Sequence, residues 1–255
     1  MLAAVDIGNT NIVFALHDGR SWRQSFRVYC DQKRTGDEYY VIFRSLLESS
    51  GVDPADVDRA VLSSVVPNLT LSVQKNLVRL FGHKALVVTR QVECGLDKSS
   101  IPVELGSDLL CNLAYAHHVN PGRAVMTVDF GTALTFSTVD GEGRVMGVAI
   151  VPGLLTSVNA LFGSTAQLPQ VELSIPSSCL GRSSEESIRA GIMYGYAGLV
   201  ESMVRNTEQE LGCGLVVMAT GGLSRTIAPL IPRLDSLDKF HTLNGLRLIA
   251  DLNPQ

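Results

Sequence analysis

The chain has 255 residues, 45% of them hydrophobic and 18% charged, which suits one large domain or two lobes of about 120 residues each. A net charge of −4 and the lack of any Lys/Arg run exclude a broad basic surface for nucleic acid. No apolar run approaches the roughly 20 residues of a membrane span, and the start, MLAAVDIGNTN, has neither the basic residues nor the long apolar stretch of a secretory leader.

Leu2 to Ile7 reads as a strand, Gly8-Asn9-Thr10-Asn11 as a turn and Ile12 to Leu16 as a second strand, closed by Asp18-Gly19. Trp22 to Val28 alternates as a third strand. Tyr40, Val41, Phe43, Leu46 and Leu47 mark a helix from about Asp37 to Ser50, stopped at Gly51. A buried strand over Asp58 to Val66 follows, then a helix to about Phe81 with Asn68 as its cap, and a short strand over Ala85 to Thr89. Glu104-Leu105-Gly106-Ser107 precedes a helix running to about His117, and the His117-His118 pair suits a helix C-terminus better than a metal.

The second half begins in the same way. Strands are expected over Ala124 to Phe130, Leu134 to Val139 and Arg144 to Val151, with turns at Gly131-Thr132-Ala133 and Asp140 to Gly143. Helices follow over Gly153 to Phe162 and Glu185 to Leu211, with Ser183 and Glu186 as a capping box. Leu215 to Ala219 is a strand, leading through Thr220-Gly221-Gly222 into another helix. V-D-I-G at Val5 to Gly8 returns as V-D-F-G at Val128 to Gly131, an offset of 123 residues, in the same strand–turn–strand setting. The reading is a duplicated α/β lobe, 1–120 and 121–255, with a cleft between the copies.

A turn rich in Gly, Asn and Thr exposes backbone N–H groups that can hold phosphate oxygens, and Gly8 and Gly131 admit a close approach. The aspartates that precede them, Asp6 and Asp129, can hold a hard cation. A D-x-G at a strand end is also ordinary turn chemistry; the repetition favours the phosphate reading. Neither G-x-G-x-x-G after a strand nor G-x-x-x-x-G-K-[ST] occurs, which disfavours a Rossmann enzyme and a P-loop NTPase. Asp108, in the first turn of its helix, can act as a base toward an alcohol, or Ser107 and Asp108 can simply cap that helix. The five cysteines, Cys30, Cys94, Cys111, Cys179 and Cys213, form no C-x-x-C and suit reduced thiols in a cytoplasmic protein.

At these residues the chain resembles the type III pantothenate kinases of the actin/Hsp70/sugar-kinase superfamily. The resemblance runs in order through D-I-G-N-T-N at Asp6 to Asn11, R-T-G-D-E-Y at Arg34 to Tyr39 and S-S-V-V-P at Ser63 to Pro67. It continues through P-V-E-L-G-S-D at Pro102 to Asp108, V-D-F-G-T-A at Val128 to Ala133, T-A-Q-L-P at 165–169, S-I-R-A-G-I-M-Y-G-Y-A-G-L-V-E at Ser187 to Glu201 and A-T-G-G-L at Ala219 to Leu223. It implies an α/β fold of duplicated actin/hexokinase-like (ribonuclease H-like) lobes with a nucleotide cleft between them. It also implies ATP-dependent phosphorylation of pantothenate to 4′-phosphopantothenate, the first step of coenzyme A biosynthesis, by a cytoplasmic homodimer using Mg²⁺ and a monovalent cation, K⁺ or NH₄⁺, with no nucleic-acid or membrane partner.

Carried over by residue, Asp6, Ile7, Gly8, Asn9, Thr10, Asn11, Ile12 and Val13 would form the ATP phosphate loop, joined by Gly131 and Thr132. Asp129 would hold the monovalent cation and Asp6 the Mg²⁺, Asp108 would be the base, and Ser99, Gly106, Ser107, Asp108, Leu109 and Ser184 would line the acceptor pocket. Three of these places depart from the family pattern. Leu109 stands where the family has an arginine that helps hold the substrate carboxylate, Ser99 where it has a tyrosine, and Ser183-Ser184 where it has N-T. Ser137 likewise replaces an aspartate. The phosphate side is intact and the acceptor side altered, so two further readings stand beside a pantothenate kinase: a kinase of another small alcohol, and a catalytically weak ATP-binding regulator.

Overall fold

The computed structural model describes residues 1–164 and 171–254; the T-A-Q-L-P segment at 165–169 lies outside them. Contacts divide the chain into two compact units, Met1–Tyr115 with Thr242–Gln255, and Ala116–His241.

The first unit is built on β1 (Leu2–Ile7), β2 (Asn11–His17), β3 (Trp22–Tyr29), α1 (Gly36–Ser50), β4 (Arg59–Ser64), α2 (Pro67–Phe81), β5 (Leu86–Val87) and α3 (Ser107–Val119), the last turn of α3 passing into the second unit. Its five strands lie in the order β3-β2-β1-β4-β5, the first three antiparallel and β4 and β5 parallel to β1. β1 is apolar on both faces because it is covered on both, as a parallel central strand must be. α1 begins at a full capping box, in which Thr35 accepts from the Glu38 N–H and Glu38 accepts from the Thr35 N–H, and ends at Gly51, φ 68°. It buries Tyr39, Phe43 and Leu47, one residue per turn, and Phe43 stacks on Phe14 of β2 at 5.4 Å between ring centres. Each such side chain removed from water contributes about 1.5–3 kcal/mol. α2 does the same with Leu69, Val73 and Leu77.

Asn68 does not cap α2. Pro67 occupies the first helical position, where its missing N–H costs nothing, and the preceding Val66 offers no side-chain acceptor. The Ser64 hydroxyl serves this corner instead, accepting from the Val66 N–H at 3.2 Å and from Thr70 Oγ1 at 2.8 Å.

The second unit repeats the plan with β6 (Val125–Phe130), β7 (Ala133–Val139), β8 (Val145–Pro152), α4 (Leu154–Ser164), α5 (Ser184–Leu211), β9 (Val216–Thr220), the short α6 (Ser224–Ile227) and β10 (Ser236–Leu237). Its order is β8-β7-β6-β9-β10, with the same pairing directions. The repetition reaches single residues. β1 and β6 share one burial pattern and β2 and β7 share another. A bulge falls between Leu16 and His17 in the first sheet and between Thr138 and Val139 in the second. α5 buries Ala190, Met193, Ala197, Val200 and Val204 along one stripe. Its expected capping box is half made: Ser183 accepts from the Glu186 N–H, but the Glu186 carboxylate takes the N–H of Arg182.

The closing helix, α7 (His241–Leu252), groups with the first unit from Thr242 onward. Leu246 and Ile249 are fully buried, Asn244 accepts from the Trp22 indole at 2.8 Å and Asp251 pairs with Arg59 at 2.8 Å. Gly245 lets the helix lie against α3, since a Cβ there would come within 2.6 Å of the Cys111 carbonyl carbon.

Candidate active site

In the first unit Asp6 sits half-buried near the end of β1, opposite Val13 of β2 and Ser63 of β4. The turn that follows is tied by the Gly8 N–H to Asn11 O at 2.9 Å and by the Cys30 N–H to Thr10 O at 2.9 Å. A Cβ on Gly8 would stand 3.2 Å from Asn11 O, so the tight closure favours glycine. Asn9 at the tip is exposed, whereas the Ile7 and Ile12 side chains lie in the core and leave only their backbone for any ligand.

Asp108 stands in the first turn of α3 and its Oδ1 accepts from the Leu109 N–H at 2.7 Å. Burial raises its carboxyl above the usual aspartate range, and that hydrogen bond offsets only part of the effect. The charges of Asp6 and Asp108 both add to the burial that holds the Cys111 thiol well up, so the two carboxylates share the surroundings of one buried thiol. Gly106 makes room for Asp108: a Cβ on it would lie 2.6 Å from Oδ1.

Ser107 does not cap its own helix. Its hydroxyl reaches β4, meeting Ser63 Oγ at 2.9 Å, accepting from the Ser64 N–H at 2.9 Å and lying 3.1 Å from Ser64 O. The start of α3 is thereby fixed to the carboxyl end of β4. Ser63 and Ser64 were visible in the sequence only as part of a motif; a hydroxyl pair at a strand end is the signal that points to this anchoring. Beside it opens a cavity of about 360 Å³ lined by Ser64, Thr89, Arg90, Glu104, Gly106 and Ser107 among others.

The altered acceptor positions are less engaged. Leu109 is 9% exposed and packs as a core residue, outside the cavity lining. Ser99 is exposed, with its hydroxyl donating to Asp97 at 2.7 Å.

In the second unit Asp129 stands near the end of β6, in the place Asp6 has on β1. The Gly153 N–H donates to Thr132 O at 2.9 Å, the counterpart of the Cys30 bond to Thr10. Two glycines press on this turn: a Cβ on Gly153 would lie 2.5 Å from Thr132 O, and one on Gly221 2.5 Å from Asp129 Oδ1. Gly131 and Thr132 are exposed at the tip, and Ser184 is exposed at the start of α5. Ser137 is buried on β7, where an uncharged side chain suits the site better than a carboxylate.

The profile of the type III pantothenate kinase family matches residues 2–206. The chain belongs to that family. A type III pantothenate kinase from Acidiphilium cryptum is 38% identical over 255 residues, covering 100% of this chain and 96% of the relative, and one from Brevibacillus brevis is 40% identical, covering 99% of each. Among solved structures, a conserved protein assigned to the Baf family of transcriptional activators from Campylobacter jejuni aligns over 98% of this chain and 97% of its own with a TM-score of 0.59 at 18% identity. The activator of the 2-hydroxyisocaproyl-CoA dehydratase from Clostridium difficile, solved with bound ADPNP, covers 98% of this chain and 92% of its own at TM-score 0.55 and 17% identity. These structures share the fold, and with it the duplicated actin- and sugar-kinase-like plan expected from the sequence is met.

Proposed function

We propose that the chain transfers the γ-phosphoryl group of ATP to the terminal hydroxyl of pantothenate, giving 4′-phosphopantothenate at the entry to coenzyme A biosynthesis. The observation that carries this is Asp108: a half-buried carboxyl with raised proton affinity, sharing the surroundings of the Cys111 thiol with Asp6, in a chain that belongs to the type III pantothenate kinases. A carboxylate with raised affinity is a better acceptor for the hydroxyl proton at neutral pH than an ordinary aspartate.

The turn positions fit a polyphosphate, because Gly8 and Gly131 carry no side chain and Asn9 and Thr132 present polar groups at exposed tips. Asp6, Ile7, Gly8, Asn9, Thr10, Asn11, Ile12 and Val13 form the phosphate turn of the first unit, the buried Ile7 and Ile12 offering backbone alone, and Gly131 and Thr132 form its counterpart in the second. Asp6 would hold Mg²⁺ and Asp129 would hold K⁺ or NH₄⁺, since hard cations prefer oxygen ligands. The cation supplies charge neutralisation at the phosphates. Gly106 and Ser107 shape the acceptor pocket, Ser107 by locking α3 onto β4, and Ser184 keeps the hydroxyl of the altered N-T pair. Asp108 orients the acceptor hydroxyl and takes its proton as the oxygen–phosphorus bond forms and ADP departs.

A second copy of the chain is the partner we infer. Met146 and Ile150 of β8 and Leu155, Leu161 and Phe162 of α4 are exposed apolar side chains that association would cover. The reaction belongs in the cytoplasm, where ATP is supplied; among the described residues no helix is long and apolar enough to cross a membrane.

Leu109 in the core and Ser99 bound to Asp97 also favour a second reading, a kinase whose acceptor has changed. Purified protein with ATP, Mg²⁺ and K⁺ separates the two. Phosphopantothenate from the parent, with a loss of about 10²–10⁴-fold in Asp108→Asn, supports the first reading. ATP binding without turnover of pantothenate supports the second.

A further inference from the structure

The cavity beside Gly106 and Ser107 lies at the carboxyl ends of the parallel strands β4 and β5, the place where open α/β sheets bind ligands. Its volume, about 360 Å³, is that of a small-molecule site. Ser64 closes one side at the end of β4, Thr89 and Arg90 follow β5, and Gly106 and Ser107 lead into α3 just before Asp108.

The charge in this cavity is unevenly held. Among the described residues nothing accepts a hydrogen bond from the Arg90 guanidinium or pairs with it. The other cation of the same loop, Lys98, is engaged by Glu93 at 3.1 Å and by the Gln91 carbonyl at 3.4 Å. Leu109, apolar and in the core, offers an acidic ligand nothing. The remaining charged group in the lining, Glu104, is an anion that an acidic ligand would avoid.

We propose that Arg90 is the specificity residue that binds the carboxylate of the acceptor in this cavity. The assignment rests on the reading of the acceptor as pantothenate, which is a hydroxy acid. A guanidinium matches a carboxylate with two parallel hydrogen bonds, which a lysine reproduces only as a point charge. Ser64 and Ser107 complete a polar wall, held together by the Ser107 hydroxyl, which accepts from the Ser64 N–H and lies 3.1 Å from the Ser64 carbonyl oxygen.

Steady-state kinetics of the parent, Arg90→Gln and Arg90→Lys decide it. Loss of one charge-assisted contact raises KM for pantothenate by about ten- to a hundredfold in Arg90→Gln. Arg90→Lys falls between the two, while kcat and KM for ATP stay within about threefold of the parent. An unchanged KM for pantothenate in Arg90→Gln, or a matching loss in kcat and in KM for ATP, overturns the assignment alone. A parent that binds ATP and leaves pantothenate untouched overturns the acceptor reading, and Arg90 with it.

Discussion

Gly106→Ala tests the link between backbone geometry and chemistry at one atom. An added Cβ would stand 2.6 Å from Asp108 Oδ1 and 3.4 Å from Val65 Cγ1, so the carboxylate is the group that must give way. Carbon–oxygen contacts settle at about 3.3–3.6 Å, so the oxygen retreats by about 0.7–1.0 Å. A displacement of about 1 Å at a reacting group costs about a hundredfold in rate. We expect kcat to fall by about 10–100-fold, which is about 1.4–2.8 kcal/mol in the barrier. Stability moves little. Gly106 is not in the left-handed region, so alanine is allowed and constrains the unfolded chain by about 0.4–1 kcal/mol in favour of the fold. Weakening the 2.7 Å bond from the Leu109 N–H costs a similar amount in the other direction. The assay is initial-rate phosphorylation beside a thermal melt, with Tm expected within about 3 °C of the parent. A kcat within twofold of the parent, or a rate loss accompanied by a large fall in Tm, refutes the proposal that Asp108 acts from this position.

Asp108→Asn carries a pH signature. The folded carboxyl has a raised pKa, so between its unfolded and folded values the native state holds a proton that the unfolded state has released. The parent therefore loses stability as pH rises through that window, and the asparagine variant does not; the Tm of the variant relative to the parent should rise across it and level off above, as melts over a pH series will read. Gly221→Ala should destabilise by about 2–5 kcal/mol, since the residue has φ 93° and its Cβ would meet Asp129 Oδ1 at 2.5 Å; denaturant titration checks this, and a parent-like midpoint argues against the packing described. Leu246→Ala should cost about 2–5 kcal/mol by the same titration if α7 is an integral layer of the first unit, and under 1 kcal/mol if it is peripheral.

Much of the fold could be read from the sequence because the duplication writes it twice. The V-D-x-G strand ends, the apolar runs beside them and the Gly stops of the helices each have a local physical cause. α7 is not legible in the sequence because its apolar residues follow a segment of turns and its amphipathic face acquires meaning only against Trp22, Arg59 and Cys111, each more than a hundred residues away. The helix caps are less legible for a related reason. Whether Asn68 or Ser64 serves the start of α2 depends on where Pro67 places the helix, and whether Glu186 returns to Ser183 or Arg182 depends on a loop path that sequence spacing does not define. At the site, the motif positions could be named, but the Ser107 bonds to β4 and the open position of Arg90 are long-range products of the fold.

The two copies share a frame and differ in what surrounds the turn. Where the second unit places Gly153, the first places the buried Cys30, which makes the same backbone bond. Where the second places Gly221 against Asp129, the register sets Ser64 beside Ile7, and the added hydroxyl reaches Thr70 and the corner of α2. Gly221 leaves no room for a side chain beside Asp129, and Gly153 leaves none beside the Thr132 carbonyl. A serine pair that fixes the start of a helix suits a side chain that must be aimed, and Asp108 is the side chain it aims. Duplication supplied two turns of one design; divergence behind each leaves one packed against glycine and the other tied to the start of α3.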